Sequence, residues 1–135
     1  MKKNAILPII FLLIFTNVHA QTKEPDSLIF TKVEIEASFP GGNQAWIKYL
    51  QEAISAESGK FKKSDYGTCI IRFMVDVDGE VSQVEATNMK KSRLAKITIR
   101  AIKDGPGWTP AMRDGKPLRA FRLQPVTVSD PNKGQ

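Results

Sequence analysis

Histidine is all but missing from this chain. Its 135 residues contain one, His19, and that one falls inside an N-terminal leader. Lys2 and Lys3, the apolar run from Ala5 to Phe15 and the small-residue site Val18-His19-Ala20 supply the three parts of a secretory signal peptide, expected over residues 1–20. The chain beyond it then has no imidazole, so Ser-His and Cys-His catalytic pairs lack their usual base. Cysteine is equally scarce. Cys69 stands alone, which excludes an intramolecular disulfide, and one thiol on the apolar side of a strand cannot start a zinc site. It reads as a small hydrophobe. Long apolar runs are missing too: the leader's run is about 14 residues even when stretched to Val18, against the roughly 20 of a membrane span, and Pro8 interrupts it. Only an uncleaved leader would act as an inner-membrane anchor. No repeat or low-complexity tract appears.

What remains suits one modest domain. Without the leader, 18 basic residues face 14 acidic ones, net +4, and about 115 residues bury roughly 60–70% of the extended chain's surface. Residues 21–32 read as a flexible lead-in, 33–128 as the domain and 129–135 as a polar tail. Leu28–Ala37 mixes β-branched and charged residues and is expected as a short strand or extended segment. Phe39-Pro40-Gly41-Gly42 breaks that pattern and launches a helix over Asn43–Ala56, with Trp46, Leu50 and Ile54 four apart and Ile47 and Ala53 alongside. Gly59 is expected to end it, followed by a basic, polar connection over 60–66.

Thr68–Val77 alternates, putting Cys69, Ile71, Phe73, Val75 and Val77 on one face of a half-buried strand. Asp78-Gly79 predicts a two-residue type I′ hairpin and Val81–Asn88 the return strand. Asp76, Asp78, Gly79 and Glu85 fall at calcium-loop spacing, but Met74 occupies the first ligand position and the flanks read as strands, so a hairpin without an ion is expected. Ser92 is placed as the N-cap of a second helix reaching Lys103, with Leu94, Ile97 and Ala101 inward and Thr98 and Ile102 flanking them. Its other side gathers Arg93, Lys96, Arg100 and Lys103, preceded by Lys90 and Lys91. That patch has no interleaved aromatics, so nucleic acid is not an expected partner. A solvated face is the first reading, and attraction to an anionic membrane surface or acidic partner the second. Gly105–Pro110 is a structured loop. Leu118–Val128 is the last strand, where Pro125 requires an edge position or a bulge. The shift of apolar residues from Phe121 and Leu123 to Val126 and Val128 favours the bulge. These elements predict an α+β two-layer sandwich, with a three-stranded antiparallel sheet and two helices on one face.

Several of these motifs, in this order, resemble one family. They are Phe39-Pro40-Gly41-Gly42 before a helix, Val75-Asp76-Val77-Asp78-Gly79-Glu80-Val81, Trp108-Thr109-Pro110-Ala111, Gly115-Lys116-Pro117-Leu118 and Pro125-Val126. Together, over roughly Val33–Val128, they are similar to the C-terminal domain of TonB, in the form common in the Bacteroidetes lineage. The resemblance implies a periplasmic protein-binding domain with no enzyme activity, catalytic residue, metal, cofactor or small-molecule substrate. It implies binding of a TonB-box-like segment of an outer-membrane transporter, added as a strand beside the last strand of the domain. The matching edge is Leu118–Leu123, with Arg119, Phe121 and Leu123 as partner-binding residues. Glu36 and Phe39 join them from the segment ahead of the first helix. Trp108 and Pro110 are expected as core plug and loop shaper, and Phe39 also as a staple of its loop onto the helix.

An energy-transducing member keeps a membrane anchor and a long Pro-rich stretch. Here residues 21–38, which span roughly 60 Å at most when extended, are not Pro-rich. The expected role is therefore transporter binding as transducer, accessory or competitor. The alternative is a stand-alone periplasmic interaction module for another protein or for a homodimer.

Overall fold

The computed structural model describes residues 33–134. The expected signal peptide over 1–20 and the lead-in over 21–32 lie outside the described residues. So does the first half of the extended segment expected at 28–37. The described half forms no strand of the sheet. It touches the rest of the domain through two isolated bridges, Ile35 with Met112 and Ser38 with Thr109. Ala37 and Phe39 are buried there while Ile35 stays exposed.

Helix α1 is Gly42–Ser55. It buries Trp46 and Leu50, with Ala53 and Ile54 partly buried. Ile47, expected alongside them, is instead an exposed large hydrophobe. The helix stops before Gly59, which sits in a separate 3-10 turn over Ser58–Lys60. The basic connection beyond contains another 3-10 turn, Lys63–Asp65. Strand β1 is Gly67–Val75 and strand β2 is Val81–Ala86, both a little shorter than expected.

The turn between them corrects the sequence reading. A type I′ turn needs positive φ at both central residues, but only Gly79, at φ 83°, has it. The loop is wider. Gly79 N–H donates to the Asp76 carbonyl, and Asp76 Oδ1 accepts the N–H groups of Asp78 and Glu80, 2.9 Å each. This Asx-type turn leaves Val77 exposed beyond the strand rather than on its buried face.

Helix α2, Arg93–Asp104, matches its expected position closely. Ser92 Oγ accepts the Ala95 N–H at 3.0 Å, and Leu94, Ile97, Thr98, Ala101 and Ile102 are buried as the helical period requires. After the loop at 105–110 comes a ribbon absent from the sequence reading: strands β3, Ala111–Arg113, and β4, Lys116–Leu118. Asp114 and Gly115 join them, both at positive φ, so the tight two-residue hairpin belongs to this Asp-Gly pair. Strand β5, Ala120–Val128, follows.

The main sheet has the order β2-β1-β5, all antiparallel. Both helices supply its cover on one face, packing Trp46, Leu50, Leu94, Ala95, Ala101 and Ile102 against Cys69, Ile71, Phe73 and Val75. Five aromatic rings lock α1, the 105–110 loop and β1 together. Trp108 meets Phe73 at 4.8 Å, Trp46 at 5.4 Å and Phe39 at 5.7 Å between centroids, and Tyr49 stacks on Phe39 at 5.2 Å. Trp108 is 4% exposed, the core plug expected of it. The bulge expected at Pro125 is not there. β1 and β5 pair without interruption from Gly67↔Val128 to Val75↔Ala120, and the irregularity lies in β2, where Gln83 has φ 52°. Pro125 is accommodated by the alternative, an edge strand.

Candidate functional site

The outer side of β5 is where this fold leaves backbone groups available. Which groups point outward follows from β1. Ile70 N–H donates to Asn88 Oδ1 at 2.7 Å and its carbonyl accepts the Thr87 N–H at 2.9 Å, so both Ile70 groups face the β2 side. Backbone groups alternate sides along an antiparallel strand. Cys69, Ile71, Phe73 and Val75 therefore face β5, and their register partners Val126, Gln124, Arg122 and Ala120 close the ladder. The N–H and C=O groups of Phe121, Leu123 and Thr127 turn outward. So does the carbonyl of Pro125, which has no N–H to offer. Among the described residues no strand pairs with this edge.

The edge is not uniform. Gln124 Nε2 donates to the Pro125 carbonyl at 3.2 Å, covering the one outward group that residue has. The stretch open to a full donor and acceptor pattern is therefore Phe121 to Leu123. This is a natural restraint on edge pairing: a proline and a local side chain blunt half the strand.

Side chains alternate along with the backbone. Phe121 and Leu123 lie on the face away from the helices, in register with Met74 and Arg72. The Arg72 guanidinium carbon stands 3.5 Å from the Phe121 ring centroid, and Arg72 also pairs with Glu85 at 2.8 Å. Phe121 is half-buried beneath it, whereas Leu123 is 56% exposed. Arg122 and Gln124 lie on the helix face. Arg122 forms an ion pair with the exposed Glu36 and donates to Gln124 Oε1 at 3.1 Å. The five sequence-predicted residues thus do not share one surface. Phe121 and Leu123 flank the open edge on one side, Glu36 reaches it on the other through Arg122, and Arg119 is half-buried just before β5. Phe39 is 8% exposed within the aromatic cluster, so its side chain packs the fold.

Sequence reasoning missed Arg122, Gln124 and a groove beside them. That groove, about 580 Å³, runs between α1 and the second half of β5 and is lined by Trp46, Ile47, Leu50, Ile54, Val126 and Val128 among others. The signal was present: Ile47 sat on the apolar side of its helix, and polar Arg122 and Gln124 alternated with Phe121 and Leu123 in β5.

Covalent chemistry has little to work with. Cys69 is fully buried, and burial pushes its thiol pKa up, away from the reactive thiolate. Asp65 is buried as well. Burial alone would raise its pKa, but the N–H groups of Lys62 (2.8 Å) and Arg93 (2.7 Å), with the charges of those residues, more than reverse this and hold it below the usual value. It ties the 3-10 turn to the start of α2. Among the described residues no cluster of three or more His, Cys, Asp or Glu could hold a metal ion, and no helix is long and apolar enough to cross a membrane.

No curated protein and no solved structure matches the chain. The family model described as the Gram-negative bacterial TonB protein C-terminal matches residues 62–127, from just before β1 to near the end of β5. The matched segment includes β1, β2, helix α2, the β3–β4 ribbon and β5 but for its last residue, so the match covers the open edge at Phe121 and Leu123. Residues 62–127 belong to the TonB C-terminal domain family.

Proposed function

We propose that this domain captures an extended segment of an outer-membrane transporter by adding it as a further strand along β5. Domains of the family are periplasmic and bind proteins, generally outer-membrane transporters. The observation that carries the finer reading is the outward pair of donors and acceptors at Phe121 and Leu123, with no strand across from them among the described residues. Main-chain pairing supplies the affinity of such a contact, and alternate side chains supply its selectivity. On the far face the added strand would meet Phe121 and exposed Leu123. On the helix face it would meet the Arg122–Glu36 pair and the mouth of the α1–β5 groove. Nothing in this role needs a catalytic group. A cleaved leader at 1–20 would deliver the domain to the periplasm, where such segments are presented.

The test is capture of peptides copied from the periplasmic segments of transporters, comparing the protein with Leu123→Pro. Leu123 N–H faces outward, so the substitution removes an edge donor without breaking the β1–β5 ladder. Binding is expected to weaken at least about tenfold, the equivalent of roughly 1.4 kcal/mol, with the fold retained. Equal capture by both proteins, or none by the unaltered one, would refute the proposal. A dimer abolished by Leu123→Pro, with no peptide captured, would assign the same edge to self-association.

A further inference from the structure

Two basic stretches far apart in sequence meet at one end of the sheet. Asp65 accepts the backbone N–H of Lys62 with one carboxylate oxygen and that of Arg93 with the other, clamping the turn at 62–65 against the start of α2. Asn88 reinforces the junction by donating to the Thr68 carbonyl at 2.9 Å while accepting from Ile70. The clamp brings Lys60, Lys62 and Lys63 to the same end as Lys90 and Lys91. All five are exposed, and none has an ion-pair partner among the described residues. Two carboxylates lie at this end: Asp65, whose oxygens are already occupied by backbone N–H groups, and Asp130, which lines a groove there with Lys63 and a further lysine, Lys133.

Lysines gathered by the fold repel one another, and an anionic surface relieves that repulsion. The chemistry of the patch says which kind. Lysine is a hydrated point charge without the planar fork that arginine offers to a single phosphate or carboxylate. Five exposed lysines spread over separate turns suit a dense layer of headgroups rather than one defined acidic peptide. We infer that this end of the domain docks on the anionic headgroups of a lipid bilayer. The patch lies where Gly67 pairs with Val128, whereas the open edge lies where Met74 pairs with Phe121. Seven residues of strand, about 23 Å, separate the two ends. Surface docking therefore leaves the edge exposed, and it holds whether or not that edge takes a transporter segment.

Flotation of the full chain with phosphatidylcholine vesicles, with and without phosphatidylglycerol, tests this. Binding that needs phosphatidylglycerol belongs to the patch, while binding to both vesicles belongs to the apolar run at 5–15. Phosphatidylglycerol-dependent flotation is expected at 0.1 M salt and its loss at 1 M, where the Debye length falls from about 10 Å to about 3 Å. The pair K90A and K91A should weaken partition about 30-fold, and K62A with K63A comparably. Exposed Lys116, on the β3–β4 ribbon, provides a control whose substitution leaves flotation unchanged. Flotation that ignores phosphatidylglycerol, salt or the four lysines would overturn the inference. So would retention on polyglutamate without vesicle binding, which would assign the patch to an acidic protein.

Discussion

Replacing Gly79 with alanine should cost far more than replacing Gly115, although both follow an aspartate and both sit at positive φ. At Gly115, φ is +72° and an added Cβ meets nothing within 4 Å. The cost there is the left-handed backbone alone, about 1–2 kcal/mol for an L-residue. At Gly79, φ is +83° and the added Cβ would lie 2.1 Å from the Trp108 carbonyl oxygen. Backbone cannot swing aside as a side-chain tip can. Opening that contact would also strain the Trp108 N–H bond to the Gly79 carbonyl, 2.9 Å, and shift an indole packed against Phe73, Trp46 and Phe39. Adding about 1 kcal/mol for the hydrogen bond and about 1–3 kcal/mol for overpacking brings the total to about 3–6 kcal/mol. That is a large share of the 5–15 kcal/mol typical of a domain. Urea denaturation followed by tryptophan fluorescence checks both variants. The midpoint should fall by roughly 2 M or more for Gly79→Ala and by about 0.7–1.3 M for Gly115→Ala, taking a slope near 1.5 kcal/mol/M. Equal losses would show that the crossing of the 105–110 loop over the hairpin does not constrain the fold.

Three further outcomes are expected. Ser92→Ala removes the acceptor of the Ala95 N–H and should lower stability by about 1 kcal/mol in the same assay, while Ser92→Asp retains most of it. Asp65 has a folded-state pKa below its unfolded value, so its contribution is present above the unfolded value, near 4, and is lost as pH falls through the lower folded one. Asp65→Asn should therefore flatten the acid limb of a stability-versus-pH curve below about pH 4, and an unchanged limb would contradict the clamp. Gln124→Pro, which deletes a donor facing β1, should destabilise the fold by about 3 kcal/mol, whereas Leu123→Pro, one residue away, should cost less than about 1 kcal/mol.

Helix α2 was the most legible part of the molecule. Its cap and its apolar stripe are local properties, and the burial of Leu94, Ile97, Ala101 and Ile102 follows from the helical period alone. The two Asp-Gly pairs show where local reading stops. Both are competent for a tight turn, but Asp76 supplies an oxygen that widens the first loop, and Trp108, distant in sequence, crosses it. Nothing near Asp78 announces that crossing. The β3–β4 ribbon escaped notice because its strands are three residues each and one contains Pro117. At β5 the error was an assumption that a strand has one apolar face. Phe121 and Leu123 are apolar on the face away from the helices, where Met74 is buried and Arg72 covers a ring. Val126 on the core face changes parity without any extra residue. Glu36 and Phe39 were placed near the edge by resemblance. Periodicity had no means of separating the exposed carboxylate from the buried ring beside it.

The narrowness of the sheet leaves two outer strands, and they are unequal. β2 is six residues long, carries Ser82, Gln83 and Glu85 exposed, and is broken by the irregularity at Gln83. A bulge of this kind raises the local twist and interrupts the row of groups that an incoming strand must match. β5 runs nine residues in unbroken register, which keeps its outer row evenly spaced. Left alone, such an edge would pair indiscriminately. Pro125 and the Gln124 amide interrupt its second half and isolate the outward groups of Thr127, so the proposed pairing would begin at Phe121 and Leu123. The strand proposed to add here would thereby be confined to a short register, flanked by a cation–π pair on one face and by Arg122 and Glu36 on the other. Binding limited to two residues' worth of backbone groups is weak unless the side chains agree. If the proposed strand addition holds, an edge so shortened would select a partner by its side chains and not by strand formation alone.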